Sequence, residues 1–265
     1  MNSSFRSIDP VELWARRHLA LMLAIREVKT RYKQSMLGFI WAIARPLIQV
    51  IVFTYLFGSV AKLPSGTVPY PLFVFSALLA WDLFSNIVQG CAASIISHRV
   101  VVERVYCPRL IFLVSAVFVA LFDFAVSVCV FLVLMLLYGV MPSLDLIWMP
   151  LILMVVVLSG LSIGLWLAAA AVWMRDIKFI VSYVIQLMML LTPVGYGGSA
   201  VPEQFRFLVD MNPMAIIVEA FRWCILGLPG PGVGVAMLGG GIICVLLVGG
   251  MLFFNSLERS FADVI

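Results

Sequence analysis

Charge is scarce in this chain. Asp, Glu, Lys and Arg together supply 11% of its 265 residues, too few to cover a water-soluble domain, which carries about 25%. Histidine occurs twice, as His18 and His98. The five cysteines, Cys91, Cys107, Cys129, Cys224 and Cys244, form no CxxC pair, so each reads as a small buried hydrophobe. Linear spacing therefore assembles no metal-ligand cluster, and no metal site is expected. A GxxxxGK[ST] loop is absent, as are HExxH and GxSxG. The chain thus has no phosphate-cradling loop of its own and offers no positive case for an enzyme. The net charge of +4 comes from basic clusters that flank apolar runs, which is not a nucleic-acid footprint, so no nucleic-acid partner is expected.

What remains is apolar. Hydrophobic residues make up 64% of the chain, and the mean hydropathy is +1.14. Runs of about 18 or more apolar residues read as helices that cross a membrane. The expected fold is an all-α membrane protein with six transmembrane helices at about 36–61, 70–96, 110–138, 146–173, 179–196 and 233–254. The first includes Arg45–Pro46, because a start at Pro46 leaves too few residues for ~30 Å of hydrocarbon. Thirteen of the seventeen Lys/Arg fall on one side of these spans, three (Lys62, Arg206 and Arg222) on the other, and Arg45 lies within a span. The positive-inside bias puts both termini in the cytoplasm. The chain then divides into a cytoplasmic N-terminus at 1–34, a six-span domain at 35–254 and a cytoplasmic tail at 255–265. Seven Lys/Arg precede residue 34, and the apolar stretch at 19–25 is short and lacks a small-residue cleavage site, so no secretory signal is expected.

Asp9-Pro10-Val11-Glu12 is a helix-start pattern. The helix it opens, to Lys33, puts Trp14, Leu21, Ile25, Val28 and Tyr32 on one side and carries Arg16, Arg17, Arg26, Lys29 and Lys33. A basic amphipathic helix of this kind is expected along the inner membrane surface. Polar residues inside spans are costly and turn toward protein or water. Trp41, Arg45 and Gln49 recur every four residues in the first span. Asp82, Ser85, Asn86 and Gln89 share a face of the second, beside Trp81. Asp123 and Ser127 are four apart in the third, as are Ser182 and Gln186 in the fifth. A translocation path with polar and aromatic walls accounts for the first two stripes. Interhelical hydrogen bonds with an Arg45–Asp82 ion pair account for them equally well, and they are the better account of Asp123–Ser127. Trp41, Tyr55 and Trp81 are placed to stack on sugar rings. The linker 98–109 (HRVVVERVYCPR) is either a helix that docks into a soluble partner or a plain loop. Between the fifth and sixth spans, 214–228 is apolar but interrupted by Glu219 and Arg222, which sit three apart and can pair. It is too short and too charged to cross, so it reads as a re-entrant or interfacial helix that starts at Asn212–Pro213.

The run RYKQSMLGFIWAIARPL (31–47), the cytoplasmic WMRDIKF (173–179), and then PV-x-Y (193–196), VP (201–202), NPM (212–214) and R-x3-LG (Arg222 to Gly227) resemble the permease subunits of type-2 ABC polysaccharide exporters. That family includes the O-antigen, capsule and teichoic-acid permeases, and the resemblance runs over nearly the whole chain. It implies a bacterial inner-membrane transport subunit rather than an enzyme. It further implies a second copy of the chain, a separate cytoplasmic ATPase that holds ATP and Mg, and a lipid-linked polysaccharide as cargo, with membrane lipid around the spans. The cargo would pass Trp41, Arg45, Gln49, Tyr55, Trp81, Asp82, Asn86 and Gln89. Arg99, Glu103, Arg104, Tyr106 and Arg109, with Arg26 and Glu27, would face the ATPase. Asn212, Pro213, Glu219 and Arg222 would belong to short re-entrant helices closing the outer mouth. An exporter of drugs or small lipids, or a membrane glycosyl- or acyltransferase using Asp82, Asp123 or Arg45, are the rival assignments.

Overall fold

In a computed structural model, residues 14–33, 38–99, 108–174, 176–198 and 201–258 are described, and among them all regular structure is helical. Helix α1 is Arg17–Lys33. Helix α2, Ile40–Phe53, runs on into a π-helical turn at Thr54–Val60. Helices α3 (Tyr70–Ser97) and α4 (Leu110–Tyr138) follow. A 3-10 turn at Leu144–Trp148 leads into α5, Met149–Trp173. Then come α6 (Ile177–Leu191), α7 (Glu203–Asp210), α8 (Pro213–Leu226) and α9 (Val233–Glu258).

Local chemistry sets the boundaries. Proline occupies the first turn of α3, α5 and α8, where its missing N–H goes unused. The Asn212 side chain caps α8 by accepting from the Met214 N–H at 3.0 Å, as a good N-cap residue does. Gly139 and Gly227 close α4 and α8 in the left-handed conformation, with φ of 67° and 66°, where a Cβ would be strained.

Among the described residues, five helical stretches are long and apolar enough to cross a membrane: Ile40–Val60, Tyr70–Ser97, Leu110–Tyr138, Leu144–Trp173 and Val233–Leu257. These match five of the six expected spans closely. The stretch expected at 179–196 differs, because α6 has 15 residues, ~22 Å at ~1.5 Å each. It ends where Thr192 adopts extended backbone, ψ 136°, immediately before Pro193, whose ring disfavours helical geometry in its predecessor.

Helix α3 is the centre. Its most apolar window is 83% buried, against 11% for the first span, so the other helices form a shell around it. Helices α4 and α5 pack closest, and α8 packs against it as well. Small residues bring α5 close: a Cβ on Gly160 would stand 2.8 Å from Ile87, and one on Gly164 would stand 2.7 Å from Cys91. Helix α8 buries Met214 to Val218, Phe221, Arg222, Cys224 and Ile225, and Ser143 donates its N–H to the Ile225 carbonyl at 3.0 Å. It is packed among the helices and does not lie on their surface.

Helix α1 packs against α4. Trp14, Leu21 and Ile25 are exposed, while Ala20, Leu23 and Ala24 are buried, with Ala20 and Leu23 against Ile111 and Phe112 of α4. The alanines let the two backbones approach. The Tyr32 ring then meets Phe122 at 6.2 Å. The two contact points are separated by about ten residues on each helix, so α1 and α4 run side by side for roughly 15 Å.

Candidate functional site

The polar stripes of three helices converge on one recess enclosed by α1, α2, α3 and α4. It has two lobes, each about 270 Å³, that share Arg31, Arg45, Asn86 and Asp123. Trp41, Ala42, Pro46, Asp82 and Ser127 line the first lobe. Glu27, Gln89, Ser94, Ser97 and His98 line the second, over a floor of Gly90, Ala93, Ala116 and Ala120. Pro46 donates no hydrogen bond to the Ala42 carbonyl one turn earlier, and both residues face the cavity.

Within the recess the acids are held unequally. Asp123 accepts from Arg31 Nη1 at 3.0 Å and from the Tyr32 hydroxyl at 2.7 Å, while Arg31 also reaches Glu27 at 3.1 Å. These bonds clasp the end of α1 to the middle of α4. Burial, and then donation to Asp123, push the Tyr32 phenol up to about 12, so it stays a donor at any physiological pH. Ser127 donates to the Asp123 backbone carbonyl at 3.1 Å. Asp82 accepts from Gln49 Nε2 at 3.4 Å. Arg45 faces the same lobe as Asp82 without forming the ion pair that the spacing suggested, and among the described residues it makes no hydrogen bond or ion pair. Gln89 donates to Ser85 Oγ at 2.9 Å.

Trp41, Arg45, Gln49, Asp82, Asn86 and Gln89 are therefore neighbours. Tyr55 and Trp81 are elsewhere. Tyr55 is on the π-helical turn and exposed. Trp81 is 2% exposed, with its ring 5.6 Å from Phe84, and it walls a separate, mostly apolar cavity of about 160 Å³ beneath Asn212 and Pro213. It misses the recess because it lies one residue before Asp82, about 100° round the helix. Arg31 and Tyr32 are among the recess residues that spacing alone missed. Their bond to Asp123 joins positions ninety apart, and no local periodicity encodes that.

Among the residues expected to face an ATPase, Arg26 is exposed and Glu27 half-buried on α1. Arg99 lies just past the end of α3 and Arg109 just before the start of α4, and His98 stacks on Phe112 at 5.2 Å. Glu103, Arg104 and Tyr106 lie outside the described residues. At the opposite end, Asn212 Nδ2 donates to Thr192 Oγ1 at 3.1 Å. Arg222 sends its donors to backbone carbonyls at Val194 and Tyr196 rather than to Glu219, whose carboxylate lies against Gly198.

Comparison with known proteins places this architecture. The chain is 27% identical over 250 residues to an O-antigen export system permease protein, RfbA, of Klebsiella pneumoniae, covering 93% of this chain and 95% of that one. It is 30% identical over 257 residues to the RfbA of Myxococcus xanthus, covering 96% and 98%. The polysialic acid transport protein KpsM of Escherichia coli is 19% identical over 205 residues, covering 77% and 80%. The family described as "ABC-2 type transporter" matches residues 18–226, and with that match spanning most of a multi-pass helical chain, this protein belongs to the ABC-2 family of transporter membrane subunits.

Proposed function

We propose that the chain is the membrane subunit of an ATP-driven exporter that moves a lipid-linked, O-antigen-like polysaccharide across the bacterial inner membrane. One observation carries this assignment: the relatives matched over 93–96% of the chain bear the name of O-antigen export permeases. The capsule-type relative matches over less of the chain and at lower identity, so an O-antigen-like glycan is preferred to a capsular one. Two copies of the chain pair, and each docks a cytoplasmic ATPase that holds ATP and Mg.

In this account α6 with the residues to Tyr196 makes a sixth crossing, residues 1–34 and 255–265 are cytoplasmic, and α8 is re-entrant. An even number of crossings keeps the seven Lys/Arg of the N-terminal segment and Arg259 of the tail on one side. The recess of Trp41, Arg45, Gln49, Asp82, Asn86 and Gln89 receives the glycan on the inner side. Carboxylate, guanidinium and amide groups meet sugar hydroxyls in both senses of the hydrogen bond, and the indole offers an apolar face. Arg99, Glu103, Arg104, Tyr106, Arg109, Arg26 and Glu27 transmit the nucleotide state of the ATPase. Asn212, Pro213, Glu219 and Arg222 belong to the outer closure.

Deletion of the gene tests the assignment. Export predicts loss of surface glycan, accumulation of glycolipid inside the cell, and rescue by the wild-type chain. Glu103→Arg and Arg104→Glu, which reverse charge in the basic linker 98–109, insert into the membrane but do not rescue. Surface glycan at normal levels in the deletion strain rejects the assignment, and normal rescue by both variants rejects the coupling role.

A further inference from the structure

The irregular segment that follows α6 is held by two side chains, the buried Arg222 and the half-buried Tyr70. Arg222 of α8 is 3% exposed, and its guanidinium stands 3.7 Å from the centroid of the Phe73 ring. Its Nη2 donates to the Val194 carbonyl at 2.7 Å, its Nη1 to the Tyr196 carbonyl at 3.2 Å, and its Nε reaches the Phe73 carbonyl at 3.5 Å. The hydroxyl of Tyr70, at the start of α3, donates to the Gly195 carbonyl. Two side chains from two helices thus capture three consecutive carbonyls. The planar fork of arginine spans such a set, whereas a lysine ammonium is a single point. A buried cation is retained only where its donors are answered, and here the segment supplies most of the answer.

The neighbouring end of the first span is held less. The π-helical turn Thr54–Val60 buries no residue, and the Thr54 hydroxyl oxygen is buried without a hydrogen bond. Phe57 packs on Gly195 and Gly58 on the Tyr70 ring, but among the described residues no hydrogen bond crosses between that turn and the 192–198 segment. Departures from α-helical geometry of this kind recur at functional sites.

We infer that Arg222 is a positioning residue that fastens segment 192–198, α8 and the start of α3 into one block, and that this end of the molecule opens along the seam between that block and the π-helical turn. Naming this end as outer rests on the orientation proposed above; the fastening does not.

Spin-label distances on the full chain in lipid nanodiscs, with the five native cysteines replaced, test this without cargo or nucleotide, so its failure is separate from failure of the export assignment. Labels at Thr67 and Gly197 report the block, Ala61 and Gly197 the seam, and Thr30 and Ser97 the inner side. The wild-type background gives a narrow 67–197 distribution and a broader 61–197 one. Arg222→Gln broadens 67–197 at least two-fold and leaves 30–97 unchanged, and Arg222→Lys also broadens it. An unchanged 67–197 width in Arg222→Gln overturns the inference, as does equal broadening of 30–97 or a 61–197 distribution as narrow as 67–197 in the wild type. If Arg222→Gln fails to accumulate, Tyr70→Phe removes only the Gly195 bond. Broadening at 67–197 is then expected, and an unchanged width overturns the inference.

Discussion

At the scale of single residues, Trp41 and Trp81 do different work. Trp41 is 48% exposed at the mouth of the recess and Trp81 is 2% exposed in the core. Trp41→Ala is expected to lower glycan export with little change in unfolding temperature, whereas Trp81→Ala leaves a cavity and destabilises the fold by about 3–5 kcal/mol. Export assays paired with thermal unfolding separate the two, and equal unfolding temperatures for both variants would contradict the assignment. Asp123 is the second case. With Asp123→Ala, Arg31 and Tyr32 lose their shared acceptor, and because Arg31 is 45% exposed the cost is about 1–2 kcal/mol, below that of a buried pair. The expected readout is faster hydrogen exchange in α1 with α3 unchanged. The raised Tyr32 pKa sets the pH dependence. The neutral phenol is favoured in the folded state, so its contribution is full below about 10 and is lost as pH rises toward about 12. Exchange in α1 is therefore flat with respect to Tyr32 between pH 6 and 9. The stripes Trp41–Arg45–Gln49 and Asp82–Asn86–Gln89 were legible from helical spacing because each lies on one helix. Their closure by Arg31 and Tyr32, and the loss of Trp81 to the core, depend on how separate helices are rotated against one another, which no single stripe encodes.

At the scale of elements, length and apolarity set α3, α4, α5 and α9 within a few residues of expectation, since hydrocarbon thickness fixes how long a crossing must be. Helix α6 stops at Leu191 although apolar composition continues past it, because Pro193 disfavours helical geometry at Thr192. The π-helical turn has no signature in charge or proline, since Thr54–Val60 contains neither. The contact between α3 and α5 is the tightest test of how the centre is built. Gly160→Val forces its side chain into Ile87, so it should destabilise the fold by about 1–3 kcal/mol. Gly240→Val, where a Cβ meets nothing within 4 Å, should be near neutral. Thermal unfolding of both variants in detergent checks this, and equal effects would mean that the two helices do not meet at Gly160.

At the scale of the whole molecule, the central helix α3 joins a recess at one end to a fastened block at the other and contributes to both: Asp82, Asn86 and Gln89 to the recess, Tyr70 and Phe73 to the block. Such a helix can carry a change at one end to the other only if its surroundings favour different arrangements in different nucleotide states. The family and the helical class were legible in the sequence, because motif order and apolar runs are one-dimensional, whereas the recess is an assembly of four helices and needed the fold. The most direct measurement is transport itself. The chain and its partner ATPase are reconstituted into proteoliposomes with lipid-linked glycan in the outer leaflet, and access of that glycan to a glycosidase sealed in the lumen is followed. The account predicts that the glycan reaches the lumen only when ATP, the ATPase and this chain are all present, and that Arg45→Ala or Asn86→Ala slows its arrival. Glycan that stays outside under those conditions, or that is chemically altered by the chain alone, would contradict it.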